Sequence, residues 1–413
     1  MLELQDKDVQ FGLLARVLPL LDRLHEVGTQ RDAAGNRQLF FDDYVKLVLL
    51  YLITPMIESI SGLQRAVELP RLAKQLGVKD FSKASFSEAP AVFQPEELIR
   101  VIQELSGGLH RLPRDPRLAD IKQAITLVDG TLLKALPKLI QTLYNTKRRC
   151  LTQARCTGQE APEAGTYHAW RVHTLLDLDT LVPQPVRVTG GSPRGQNNER
   201  RVLESLLEPG RLYVADRGYF EKPLMNRIVQ AHSLYVFRPI DTLKYEVIEE
   251  RTPSDQASEE GVIRDAVVRL EGLDHPTRLV VVKAQVHAKR TRKGYVPSSG
   301  QMMFLCPDLT LAAELISILY RYRWTIETFF KFMKQLLGCR HLLSQRKTGV
   351  EIQIYCAVIV CMLLNLSTGL KPARAVMERI MWYLLGFADV QDVQRQIDRT
   401  RREQEARAKK RGH

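Results

Sequence analysis

Apolar residues recur at helical spacing through the first quarter of the chain and at strand spacing through its middle, and the period changes near residue 115. FGLLARVLPLLDRL, YVKLVLLYLIT and PEELIRVIQEL each carry the apolar stripe of a packed helix, with breaks at Gly35-Asn36, Pro55 and around Pro90. SISGLQRAVELPRLAKQLGV fits a helix-turn-helix and a plain helical bundle equally well. After LPRDPRLAD the run AITLVDG (124–130) is short and β-branched, a buried strand with Asp129 and Gly130 at its carboxyl end. YHAWRVHTLLDLDTLVPQPVRVTGG predicts two strands joined by a turn near Asp179, followed by a helical NNERRVLESLL. RLYVADRGYF repeats the first arrangement with Asp216 after the strand, and a helix in KPLMNRIVQAHS leads to the strand SLYVFRPI.

Between 240 and 306, YEVIEE, DAVVRL and RLVVVKAQVHA alternate as antiparallel strands separated by the polar turns TPSDQASEEG and RTRKGYVPSSG, which predicts a β-rich insertion. The remainder is helical: LYRYRWTIETFFKFMKQLLG (319–338), then 349–367, 373–386 and a basic terminal helix. IQIYCAVIVCMLLNL (352–366) is short for a membrane span and predicts a buried helix. The expected fold class is therefore α/β, with a helical region over 1–115, a core over 120–370 containing the 240–306 insertion, and helices over 371–413.

Composition narrows the partners. With 413 residues and 45% hydrophobic content the chain supports two or three globular domains, and its net charge of +13 points to a polyanion, nucleic acid before an anionic membrane. RTRREQEARAKKRGH (399–413) predicts a basic helix fraying into a tail. The six cysteines lack C-x-x-C pairing with histidine, which argues against a zinc site or a disulfide framework and for a reducing cytoplasm. MLELQDKDVQFG has no cationic lead into an apolar run, so no secretory signal is expected there.

The segment 319–338 poses a chemical question. At roughly 100° per residue Tyr320, Arg323, Glu327, Lys331 and Lys334 fall on one stripe, and Trp324, Phe330 and Phe332 leave little circumference for water, so the stripe is expected to line a cleft. Two strand-end aspartates and this helical glutamate form a candidate carboxylate cluster. Such acids repel one another, and divalent cations relieve the repulsion; Mg²⁺ suits all-oxygen ligands and, as a pair, serves phosphodiester cleavage. Taken singly, Asp129 also reads as a turn residue, Asp216 as a loop cap, and Glu327 as the partner of Lys331 in an i, i+4 ion pair.

Tyr320-x2-Arg323-x3-Glu327-x6-Lys334 resembles the Y-R-E-K signature of bacterial insertion-sequence transposases of the DDE class, whose catalytic domain has the RNase H-like fold. VDGTLLKALP looks like the segment carrying the family's first Asp and VADRGYF like that carrying its second, and the resemblance spans roughly 120–370. It implies a catalytic, metal-binding triad of Asp129, Asp216 and Glu327 holding two Mg²⁺ ions, with Mn²⁺ as a substitute. It also implies an N-terminal helical DNA-binding domain and a nucleoid-associated homodimer acting on double-stranded DNA, both terminal inverted repeats and target. Arg323, Lys331, Lys334 and Arg217 would bind phosphates and Tyr320 would steady a phosphate or the terminal nucleotide. Arg171 and His173 in AWRVHTLLD resemble a basic-x-His pair near the second strand, and NTKRRCLTQARC suggests a DNA-contacting loop. Two alternatives stay open: a metal-dependent nuclease on the same core, and an inactive, transposase-derived DNA-binding protein.

Overall fold

The computed structural model describes residues 13–27, 35, 37–54, 56–112, 114–134, 169–190, 198–283, 300–335, 337, 339 and 341–411. The principal helices of the first region are α1 (Phe41–Ile53), α2 (Ile60–Val67), α3 (Pro70–Leu76) and α4 (Glu97–Ser106). Ser59 caps α2 by accepting from Gly62 N, and Gly77, left-handed at φ 66°, ends α3. The expected helix over FGLLARVLPLLDRL is instead broken, with short pieces at Leu18–Leu21 and Leu24–Val27; Pro19 opens the first of them and cannot continue a preceding ladder.

Among the described residues nine strands form one sheet: β1 (Ala124–Lys134), β2 (Ala169–Asp177), β3 (Pro183–Gly190), β4 (Arg211–Ala215), β5 (Leu234–Phe237), β6 (Glu246–Arg251), β7 (Val262–Arg269), β8 (Thr277–Lys283) and β9 (Gln301–Cys306). Their order is β3-β2-β1-β4-β5-β9-β8-β7-β6. An antiparallel β1-β2-β3 meander is followed by β4 and β5, each parallel to its neighbour on the β1 side, which is the RNase H-like core. The four strands of 246–306 continue that sheet rather than packing apart from it, joined through Phe237 of β5 opposite Leu305 of β9. Within the insertion, TPSDQASEEG contains a short helix, α7 (Asp255–Glu259), because Ser254 caps it on Ala257 N; α5 (Glu199–Glu204) and α6 (Lys222–Gln230) lie earlier in the chain. The expected turn at RTRKGYVPSSG and the basic loop NTKRRCLTQARC lie outside the described residues.

Period-2 alternation sorts side chains onto two faces. Leu127, Leu212, Val214, Val236, Val280 and Phe304 enter one apolar layer, while Val128, Tyr213, Ala215, Tyr235, Leu279 and Leu305 enter the other. The first layer holds α8 (Ala313–Tyr322), α9 (Trp324–Gln335) and α10 (Lys347–Thr368); the second holds α5 and α6, through Leu203, Leu224 and Ile228. α11 (Arg374–Leu384) and α12 (Val390–Arg411) close the chain, and α12 runs helically to Arg411 where a frayed tail was expected. α10 is apolar and long enough to cross a membrane, yet its apolar window is wholly buried in the protein. It packs on α1, α4 and β3, so the helices before residue 115 share one core with the helices after the sheet.

Candidate active site

The site forms where the parallel pairing of β1 with β4 ends; β1 itself continues beside β2 to Lys134, so Asp129 lies within the strand and not at its carboxyl end as expected. β1 and β4 run in register through Leu127 opposite Val214, and Asp129 and Asp216 each follow by two residues. Both therefore belong to the row that faces α8 and α9, as do Leu127 and Val214. Asp129 Oδ1 accepts from Gly130 N at 2.8 Å, and Asp216 Oδ1 accepts from Gly218 N at 2.8 Å, where it caps the turn Arg217–Tyr219. Burial lifts the Asp129 carboxyl to about 6; the nearby charges of Asp216 and Glu199 push it further and Arg323 restrains it.

The expected continuous helix 319–338 is two helices. α8 ends at Tyr322 and α9 begins at Trp324, with a tight turn marked by Arg323 N donating to Tyr320 O and Ile326 N donating to Arg323 O. The break aims Arg323 at the acids: Nη2 donates to Glu327 Oε1 at 2.8 Å and Nη1 lies 3.9 Å from Asp129 Oδ2. Glu327 is thereby tethered beside Asp129. Lys334 Nζ donates to Thr131 Oγ1 at 2.6 Å, which pins the end of α9 to β1 on the same face. Tyr320 is buried against Phe304, ring centroids 4.3 Å apart, and senses the charges of Arg323, Arg238 and Asp216.

Other expected members sit elsewhere. Lys331 turns away from Glu327 toward a cavity of about 660 Å³ behind α9, lined also by Trp324, Thr328 and Phe332, so the single stripe divides. Trp324 is 45% exposed and does not seal the helix from water. Arg217 is half exposed and pairs with Asp241 at 3.1 Å. Arg171 pairs with Glu199. His173 is enclosed on β2, where its Nε2 shares a hydrogen bond with Thr189 Oγ1 at 2.8 Å, and burial pushes its pKa down to about 4. Enclosed and bonded to Thr189 in this way, His173 fits a buried, neutral imidazole.

Two neighbours were missed from sequence. Arg238 directly follows β5 and reaches the Tyr320–Asp216 side of the site, a position the strand-end rule that selects Asp129 and Asp216 also selects. Glu199, in the first turn of α5, lies against Gly130 and Gly218, and its isolated sequence position gives no such signal.

The donor set is all oxygen, and the like charges of Asp216 and Glu199 bear on Asp129 with Arg323 as counter-charge, a setting that suits a hard divalent cation. Among the described residues no three carboxylate, histidine or cysteine groups converge as they stand on a chelating position. Arg323 holds Glu327 and supplies the counter-charge there. The residues fit the ion in kind, and as the side chains stand Glu327 is bonded to Arg323.

Residues 121–366 match the family described as Transposase DDE domain. Relatives named as transposases include y4zB of Sinorhizobium fredii, 26% identical over 56% of this chain and 60% of its own length. The transposase of element IS5377 of Geobacillus stearothermophilus is 24% identical over 50% of this chain and 51% of its own length. That of element IS4SA of Synechocystis is 22% identical over 84% of this chain and 88% of its own. The chain thus spans between half and two thirds of the first two relatives. A piggyBac transposase synaptic complex with hairpin DNA aligns over 97% of this chain and 84% of that one, at 10% identity and a TM-score of 0.40, a likeness too slight to carry weight. With more than half of its length matched, and with an RNase H-like sheet bearing acids just past the end of the β1–β4 pairing, the chain belongs to the DDE transposase domain family of bacterial insertion sequences.

Proposed function

We propose that this protein is a DNA transposase that cleaves double-stranded DNA at the terminal inverted repeats of its element and joins the freed 3′ ends to target DNA, with Asp129, Asp216 and Glu327 as its catalytic carboxylates. The observation that carries this reading is the adjacency of Asp129 and Asp216 just past the end of the β1–β4 parallel pairing, with Glu327 held to Asp129 through Arg323. The family match supports it across the same residues.

Asp129, Asp216 and Glu327 would hold Mg²⁺, or Mn²⁺ in its place, and the bound ion would supply Lewis-acid stabilisation of charge on phosphodiester oxygens. The chain's own part is positioning. Arg323, freed from Glu327, offers a planar fork to a phosphate, and Lys334 offers a point charge about three turns further along α9. Tyr320 and Arg238 bound the opposite side and restrict where the sugar-phosphate strand lies. The net charge of +13 draws DNA to the surface without reading its sequence, and the helices before residue 115 are the region assigned to sequence recognition. The working form is a homodimer on paired ends in the bacterial cytoplasm.

Supplying the protein with a pre-cut element end and a target duplex separates transposition from simple nuclease action. Joined product is the expected result. Nicks without joined product would make the protein a nuclease on the same core.

A further inference from the structure

Glu199 belongs to the layer opposite α9, yet it reaches the aspartates through a gap in the sheet. The gap is Gly130. A side chain at this position would point into the α5 layer, where a Cβ would stand 2.8 Å from Glu199 Oε1. Gly218 forms the other wall: a Cβ there would lie 3.9 Å from Glu199 Oε2 and 3.0 Å from Asp216 Oδ1. The neighbouring Arg200 donates from Nε to Gly218 O at 2.8 Å, so the start of α5 grips the Asp216 turn twice. Glu199 is bonded to Arg171, a mostly enclosed guanidinium whose Nε has no hydrogen-bond partner. The buried phenol of Tyr219 lies within electrostatic reach of Glu199, Asp129, Asp216 and Arg171, which places all four charges around one ring.

We propose that Glu199 is a positioning residue for the Asp129–Asp216 pair: its carboxylate wedges between Gly130 of β1 and the Gly218 turn and retains Arg171, so that this guanidinium does not neutralise the two aspartates. The inference rests on the metal-site reading above. An enclosed guanidinium that loses its partner takes the nearest anion, because leaving it unpaired costs more than displacing a weaker contact. Of the charges gathered around Tyr219, the acids left once Glu199 is gone are Asp129 and Asp216, those that would otherwise hold the divalent ion. Arg171 then becomes a rival cation.

The test is Mn²⁺ binding to the full DNA-free chain, followed by calorimetry, for wild type, Glu199→Gln, Arg171→Gln, the double variant and Asp216→Asn. Loss of a residue that orients metal ligands weakens binding by about tenfold to a hundredfold, which is the expectation for Glu199→Gln. Arg171→Gln is expected to bind at least as tightly as wild type, and the double variant to recover wild-type affinity, since the rival is gone. Unchanged binding in Glu199→Gln, or a double variant as weak as that single one, overturns the proposal. Wild-type affinity in Asp216→Asn, or no binding by wild type, overturns the metal-site reading beneath it. If Glu199→Gln does not fold, Gly130→Ala crowds the same carboxylate and carries the comparison, again with and without Arg171→Gln.

Discussion

Replacing Asp129 by Asn should make the protein more stable at neutral pH while removing a group assigned to catalysis. The Asp129 side chain is 22% exposed, and burial lifts its pKa from 3.8 to about 6. The folded state therefore holds a proton that the unfolded chain has released between these values. Stability from this group is fully present below pH 3.8 and is lost as pH rises through about 6. A shift of roughly two pKa units corresponds to about 3 kcal/mol, and solvent screening of a partly exposed carboxylate reduces this to about 1–2 kcal/mol. Asn keeps the oxygen that accepts from Gly130 N and carries no charge toward Asp216 and Glu199. Urea unfolding of both proteins at pH 7.5 and pH 4.5 should show Asp129→Asn ahead at the higher pH and the gap shrinking at the lower. A variant less stable at pH 7.5, or a gap indifferent to pH, would refute the electrostatic reasoning.

The other expectations concern separate parts of the site. His173, whose folded pKa falls from 6.5 to about 4, binds its proton later than the unfolded chain, so its contribution is lost as pH falls through that window. His173→Gln, which retains a partner for Thr189, should flatten the decline of thermal stability between pH 6.5 and 4.5; an unchanged profile counts against a buried neutral imidazole. Lys334→Ala should weaken DNA binding and reduce its salt dependence by about one ionic contact, read from binding isotherms at several salt concentrations. Lys331→Ala, on the cavity side of α9, should leave the cleavage rate at the wild-type level; a loss matching that of Lys334→Ala would place both lysines on one DNA-facing stripe.

What the sequence disclosed and what it concealed follow from range. The strand runs AITLV and RLYVA declare themselves as short apolar stretches, buried over Ile125–Val128 and Leu212–Ala215, and each is followed at once by its aspartate. The helix of Glu327 is equally plain in its apolar spacing, but its break at Arg323 involves neither Pro nor Gly, so no local residue announces it. That break leaves Tyr320 and Arg323 on α8 and its cap while Lys331 and Lys334 ride on α9, residues that one regular helix would have carried together. Arg171 and His173 were legible as a strand pair, while their partners Glu199 and Thr189 lie 28 and 16 residues away and could be assigned only with the sheet assembled. Glu199 reads in sequence as an ordinary first-turn acid on a short helix; its meeting with Gly130 depends on a glycine gap in the facing layer. The insertion's strands were visible by alternation, whereas their fusion with the central sheet rests on Phe237 meeting Leu305 across 67 intervening residues of unrelated pattern.

The central claim is that three carboxylates, two from the end of the β1–β4 pairing and one from a helix, act as a single centre on DNA. Its most direct measurement is strand cleavage of a duplex carrying the element's own ends, with and without Mg²⁺, for wild type, Asp216→Ala and Glu327→Gln, alongside DNA binding by the same proteins. The account predicts Mg²⁺-dependent nicking by wild type alone, with most DNA affinity kept in both variants. Nicking by either variant at the wild-type rate would contradict it.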